Sequence, residues 1–327
     1  MAARQSAPVL GALCSGNGSS AAVAPRVHRF DLTIAYRYQP SSRHFIGTQE
    51  QKQRELNHNQ IQNTYHLFDV ALSYQLTPRW SLNTSLPILV ARRDQLYAPR
   101  GIYHVAGIGD MTLGARTWLF RPPTESGGNI ALGFSLKLPT GVHNAADWAL
   151  DRNGKRVLAT ADQSIQPGDG GWGFALETQA HRPAWFKTML YFSATYLFNP
   201  QETNGVATFR TRRGEEVMSI ADQYLVRGGV SRAIPKLRGL VGSLGGRIEG
   251  VPVRDALGRS NGFRRPGYAI SVDPGLMYST ARYLFAVNVP FAVERNRRRS
   301  VPDIMNGTHG DAAFADYALT LSVTRRF

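Results

Sequence analysis

Cysteine is nearly absent. Cys14 is the single one in 327 residues, so no intramolecular disulfide framework can hold this chain. No run of about 18 apolar residues exists, which excludes helical membrane spans, and mean hydropathy is −0.26. No Walker loop, dinucleotide fingerprint or nucleophile elbow occurs; each would need glycines at fixed offsets to bring backbone close to a phosphate or to expose a nucleophile. The 8 histidines, at positions 28, 44, 58, 66, 104, 143, 181 and 309, lack metal-ligand spacing. No metal, cofactor or catalytic residue is therefore expected. Acidic residues are few beside basic ones, 23 against 38, for a net charge of +15. That balance raises nucleic acid as a partner. The basic residues are scattered over many segments rather than gathered in one stripe, so no nucleic-acid partner is expected.

What the chain does have is alternation. Phe30, Leu32, Ile34, Tyr36 and Tyr38 alternate with Arg29, Asp31, Thr33, Ala35 and Arg37. Strand side chains repeat with period two, so these two sets would face opposite sides of a sheet. The same rhythm returns over 66–76, 80–90, 111–119, 130–138, 172–178, 186–198, 224–230, 240–248, 268–278, 283–293 and 317–327. That makes about twelve segments, an even number as bacterial single-chain barrels have, most near the roughly 9–11 residues a tilted strand needs to cross a bilayer.

The connections alternate as well. Segments 77–79, 121–128, 181–185, 233–239 and 279–281 are short; 39–64, 92–107, 139–170, 199–221, 251–266 and 294–313 are long. A soluble sandwich has no reason to alternate its loop lengths. The pattern predicts an all-β, transmembrane, antiparallel up-and-down β-barrel with short periplasmic turns and long extracellular loops. Aromatic residues then fall at two depths: Tyr74, Trp80, Phe186, Tyr278, Tyr283 and Phe327 at the periplasmic ends, and Tyr38, Phe198, Tyr268 and Phe291 at the outer ends, as interface girdles do.

No linker or composition break divides the chain, which predicts one barrel over 28–327. Residues 1–27 are expected to be flexible or cleaved. Their basic start and apolar stretch are weak for a signal peptide, and Pro25 would follow the small-residue site Ala22-Val23-Ala24. Inside the long loops, Asn153-Gly154 reads as a hairpin turn, and Arg212-Arg213-Gly214 as a second hairpin tip.

The polar face of each strand would line a lumen. Its charged candidates are Arg37, Asp69, Asp110, Arg116, Lys137, Glu177, Arg227, Arg247, Glu249 and Asp316, nearly balanced in sign and expected mostly as ion pairs, because unpaired buried charge is costly. Small residues between them, such as Gly114, Gly133, Gly229 and Gly245, leave space. In the last long loop, Arg297, Arg298 and Arg299 are candidates for lipopolysaccharide phosphates, which guanidinium groups bind in a bidentate way. About twelve strands lie between the small barrels whose interiors are filled and the 16–18-strand barrels with open water channels. The leading reading is a selective outer-membrane channel for small solutes. Two others stand beside it: a membrane-embedded, lipid-acting enzyme of the phospholipase type, and a structural envelope barrel with a closed lumen.

Two resemblances sharpen this. The final segment, running from Tyr317 to a terminal Phe327, resembles the carboxy-terminal signature read by the barrel assembly machinery of bacterial outer membranes, which makes that machinery an expected partner. Gly107–Arg116, Leu136–Gly141 and Gln166–Trp172 resemble the consensus blocks of the outer-membrane barrels grouped as the "MetA-pathway of phenol degradation" family. That resemblance covers roughly residues 105–200 and implies passage of small hydrophobic or aromatic compounds in the cell outer membrane. It implies no catalytic residues.

Overall fold

The computed structural model describes residues 29–97, 101–121, 127–151 and 153–327. The segment expected to be flexible or cleaved therefore lies outside the described residues. Fourteen strands form one antiparallel sheet: β1 (Phe30–Ser41), β2 (Ile61–Gln75), β3 (Trp80–Gln95), β4 (Gly101–Ile108), β5 (Thr112–Trp118), β6 (Asn129–Lys137), β7 (Gly173–Ala184), β8 (Thr188–Phe198), β9 (Gln223–Ala233), β10 (Leu240–Val251), β11 (Gly267–Ser279), β12 (Tyr283–Asn288), β13 (Phe291–Arg297) and β14 (Leu319–Arg326). Neighbours in sequence are neighbours in space. β14 returns to pair with β1, Asp31 opposite Arg326 through Tyr38 opposite Leu319. The sheet is thus closed. β4 with β5 makes one stave and β12 with β13 another, giving a 12-strand barrel.

Each double-strand stave breaks for a local reason. Pairing with β3 runs Ser85–Thr112 on one side of Gly109 and Ile88–Ile108 on the other. The fourth stave therefore carries one extra residue, a bulge that bends it. In the eleventh stave Pro290, without an N–H to donate, separates β12 from β13.

The dyad pattern becomes two surfaces. Outward residues form an apolar band in which Ile34, Leu132, Phe134, Leu176 and Leu244 each leave about half their surface uncovered: 52%, 45%, 47%, 49% and 56%. So continuous an apolar surface is far larger than soluble monomers expose; hydrocarbon is the solvent it suits. Rings collect at both edges of the band. Phe30–Tyr74 and Tyr283–Phe285 lie near the short turns, and the row Phe134–Phe174–Phe198–Tyr196 lies toward the long loops. Inward residues are polar or small. A side chain at Gly245 would collide with the Tyr191 hydroxyl and the Gly228 carbonyl, so the paired Gly229 and Gly245 let the Tyr191 ring lie back against the wall.

Strand limits differ from the sequence expectation in three places. The turn expected over 181–185 sits at Trp185–Lys187, with Phe186 and Lys187 at φ +56°, so neither is a wall residue. Arg182 and Pro183 are paired within β7. β1, β2 and β3 run to Ser41, from Ile61 and to Gln95, so residues expected in loops, Arg92 and Arg93 among them, prolong the barrel wall. The segment expected as one strand over 283–293 is split at Pro290.

The long loops supply most of the remaining structure and much of the apolar core. A hairpin pairs Ala146–Leu150 with Arg156–Thr160, the turn falling at Gly154 with φ +77°. A second small sheet joins Thr203–Ala207 to Val217–Ser219. A cluster of Tyr65, Leu67, Leu89, Ala91 and Val105 on the inner wall packs against Ala161 and Ile165 of the 139–172 segment. Leu89 and Ile165 are almost wholly buried, each worth about 1.5–3 kcal/mol. The Ala161–Ile165 stretch is therefore seated inside the barrel, whereas the hairpin before it keeps Trp148, Leu150 and Leu158 exposed. Close to the last strands, Val301–Met305 forms a short helix, α1, closed by a capping box between Ser300 and Asp303.

Candidate functional site

The site is the barrel interior, and its charges are held in groups that the closure of the sheet brings together. Arg37 on β1 and Arg247 on β10 both grip Glu249, at 3.0 and 2.6 Å. All three are nearly buried. Two guanidiniums share one carboxylate, and Arg37 keeps Nε and Nη1 without a hydrogen-bond partner among the described residues. Next to it Arg227 faces Asp273 at 3.2 Å and lies over the Tyr191 ring. Asp69 accepts a 2.6 Å hydrogen bond from Ser85 across the β2–β3 pair. Lower in the lumen Arg116 donates to Gln179 at 3.4 Å, and Ser135 donates to Glu177 at 3.1 Å.

The three Gly-rich blocks meet at one node where the fourth stave breaks. The Asp110 carboxylate accepts the backbone N–H groups of Gly141 and Asp169, at 3.0 and 2.8 Å. Lys137, at the end of β6, binds the Asp169 carboxylate at 2.5 Å. A Cβ on Gly168 would lie 2.8 Å from the Gly141 backbone, so both glycines are needed for the segments to touch. This node fastens the 139–172 segment where it enters and leaves the lumen.

Higher up, Asp162 on that same segment holds Arg265 at 2.7 Å and Arg93 at 3.5 Å. Burial alone would raise the Asp162 carboxyl, but Arg265 and Arg93 outweigh it and keep it well below the ordinary range. Arg264 is fully buried on Asp255 and the Ser219 hydroxyl. Asp311 is bound by His44 and Arg54 at 2.8 and 2.7 Å. Burial again opposes ionisation there, and the His44 hydrogen bond with the neighbouring positive charges brings its pKa down to about 2.

Among the expected lumen residues, Arg37, Arg247 and Glu249 come together, as do Lys137 and the Asp110 node. Asp316 does not line the membrane part of the lumen. It precedes β14, is half exposed, and pairs with Arg295 at 2.5 Å and Arg43 at 2.8 Å on the long-loop rim. The Arg297–Arg299 run divides. Arg297 alternates inward, 2% exposed and paired with Asp303 at 2.8 Å, so it does not reach the lipid surface. Arg298 and Arg299 are exposed. At the opposite rim Phe327 donates its N–H to the Phe30 carbonyl, with the Arg325 guanidinium over its ring. Tyr317 stacks obliquely on Tyr38 and Phe291 on the outer surface. His66 shares a 2.8 Å hydrogen bond with the Tyr36 hydroxyl. No cluster that could hold a metal ion occurs among the described residues. Sequence reasoning gave no role to Asp162 and Asp169 and placed Arg93 in an outer loop rather than on the wall. Asp169 stood in a quoted Gly-rich block, but its partner lies 32 residues away.

A closed 12-strand antiparallel barrel with an apolar outer band and a charged interior defines the outer-membrane class of β-barrel. No family pattern and no curated sequence matches the chain. Among solved structures it is similar to an outer-membrane channel from Pseudomonas putida F1, with a TM-score of 0.61 and 12% identity over 94% of this chain and 99% of that one. Fainter likenesses include the β domain of the Bordetella autotransporter BrkA, TM-score 0.49 and 12% identity over 92% and 100%, and the P. putida toluene transporter TodX, TM-score 0.45 and 9% identity over 97% and 94%. Identities this low speak for the fold alone.

Proposed function

We propose that this protein is an outer-membrane channel for passive entry of small molecules, with its short turns in the periplasm and its long loops outside the cell. The observation that carries the reading is the inversion of surfaces: an apolar exterior around a closed wall whose interior is charged, partnered and interspersed with glycine. A wall of mixed charges filters solutes by sign and size. The half nearer the short turns carries small residues such as Ala71, Ser73, Gly114 and Gly275 beside the Arg116, Gln179 and Glu177 group, whereas the other half holds the seated Ala161–Ile165 stretch. Passage therefore depends on movement of the 139–172 segment against its fastenings at Asp110–Asp169 and Asp162–Arg265. Membership of the phenol-degradation group, with hydrophobic or aromatic cargo, is the finer proposal, and the convergence of the three Gly-rich blocks on one node supports it. Arg298 and Arg299 would face lipopolysaccharide phosphates, and the last strand would engage the assembly machinery.

Planar-bilayer recording of the purified barrel tests the reading: discrete conductance steps in KCl are expected. A barrel that inserts but never conducts would transfer the assignment to a structural envelope barrel, a reading favoured by the near-complete burial of Arg37, Arg247, Glu249 and Lys137. A phospholipase assay in detergent is expected to be negative.

A further inference from the structure

A cavity of about 460 Å³ opens among the long loops, between the 43–61 segment, the Phe209–Glu215 turn and the 309–313 segment. Six arginines line it: Arg54, Arg93, Arg210, Arg212, Arg265 and Arg297. The carboxylates that pair with them are four, Asp311, Asp162, Glu215 and Asp303. Asp162 serves two guanidiniums, and exposed Arg212 has no ion pair among the described residues. The lining is thus left with positive charge that its own acids do not cancel. Arg210 and Arg297 each also have a buried Nε with no hydrogen-bond partner among the described residues.

The second half of the recognition chemistry is aromatic. Phe209 is 62% exposed at the lip, and Tyr97 and Phe263 complete the lining. The Arg210 guanidinium sits 4.0 Å above the Phe263 ring on one side and 5.5 Å from Phe209 on the other. Arg265 also approaches Phe263, at 4.5 Å. Stacking on rings holds these guanidiniums in fixed planes, and planar forks are what a carboxylate binds in a bidentate way. The volume falls within the range of small-molecule sites.

We propose that this cavity is a recognition site for small aromatic carboxylates, the carboxylate set between Arg210 and Arg212 and the ring against Phe209 and Tyr97. Its role as the first stop for a solute rests on the channel reading above; its existence as a binding site does not. Excess positive charge at the mouth raises the local concentration of anions, and the exposed ring gives the solute's apolar part a face to stack on.

The test uses the full chain in detergent, titrated with benzoate by calorimetry at low salt, with toluene and acetate as comparison probes. Saturable benzoate binding is expected, weaker for acetate and absent for toluene. Arg212→Gln, at an exposed position that folding does not need, should weaken benzoate at least threefold, and Arg210→Gln with Arg212→Gln at least tenfold, with heat-modifiable migration reporting the fold of each variant. Unchanged benzoate affinity in folded Arg212→Gln and double variants would overturn the proposal, as would toluene binding as tightly as benzoate. Bilayer recording of the wild type in KCl keeps the two readings apart. A silent barrel that still binds benzoate would defeat the channel reading and leave this site standing, whereas a conducting barrel without benzoate binding would do the reverse.

Discussion

Replacing Glu249 by Gln is the most informative single change, because one carboxylate there answers two guanidiniums. Arg37 and Arg247 contact it at 3.0 and 2.6 Å, and the side chains are about 6%, 1% and 5% exposed for Arg37, Arg247 and Glu249. At an effective dielectric of about 20, charges roughly 4 Å apart attract by about 4 kcal/mol. Two such attractions are lost, and the two arginines are left facing each other. The saving is the desolvation of one carboxylate, several kcal/mol. A net loss of about 3–5 kcal/mol follows, the range found when one partner of a buried pair is removed. The side-chain shape is kept, so the effect is electrostatic. For permeation the change adds one positive charge to the wall. Even in a water-like dielectric that is worth about 1 kcal/mol to an ion roughly 4 Å away, favourable for chloride and unfavourable for potassium, which together raise the chloride-to-potassium permeability ratio about thirtyfold. Reversal potentials in a KCl gradient measure this, and urea unfolding in detergent measures the stability. A variant as stable as the wild type with an unmoved reversal potential would exclude both roles, since Glu249 could then be neither a buried counter-ion nor a wall charge.

Substituting Arg116 and Arg247 together by Gln should move selectivity the other way, toward cations, without abolishing conductance in the same assay. Leu132→Arg and Val287→Arg, on the lipid-facing surface, should each destabilise the barrel by roughly 2–4 kcal/mol, whereas Ser135→Arg, inward and beside Glu177, should cost much less in vesicle-refolding titrations. The Asp311 staple should be acid-sensitive. Its pKa is lowered to about 2 against an ordinary value of about 3.9, so its stabilisation is complete above about pH 4 and is lost as the pH falls toward 2. Protection factors from hydrogen exchange over 43–56 and 309–313 should drop across that window, and Asp311→Asn should remove the dependence.

Which side chains face lipid and which face the lumen, and how many staves there are, was legible in the chain alone. Period-two alternation is a property of extended backbone that needs no partner; the faces of Ile34, Leu132 and Leu244 follow from their neighbours in the chain. Where the local signal weakened, limits moved. The turn near Arg182–Pro183 slid to Trp185–Lys187 because Pro183 is tolerated in β7, and strands rose past the membrane where loop-like polar residues still pair. Tertiary structure alone decided what the interior holds. Glu249 meets Arg37 only because β14 closes on β1 and fixes the register around the barrel, and the two are 212 residues apart. Arg265 finds Asp162 across 103 residues because the 139–172 segment turns inward and packs Ile165 on Leu89 and Val105. Arg297 differs from Arg298 by one residue of register. A loop's composition does not say whether it seats inside its own barrel; the complementary wall, assembled from distant strands, does.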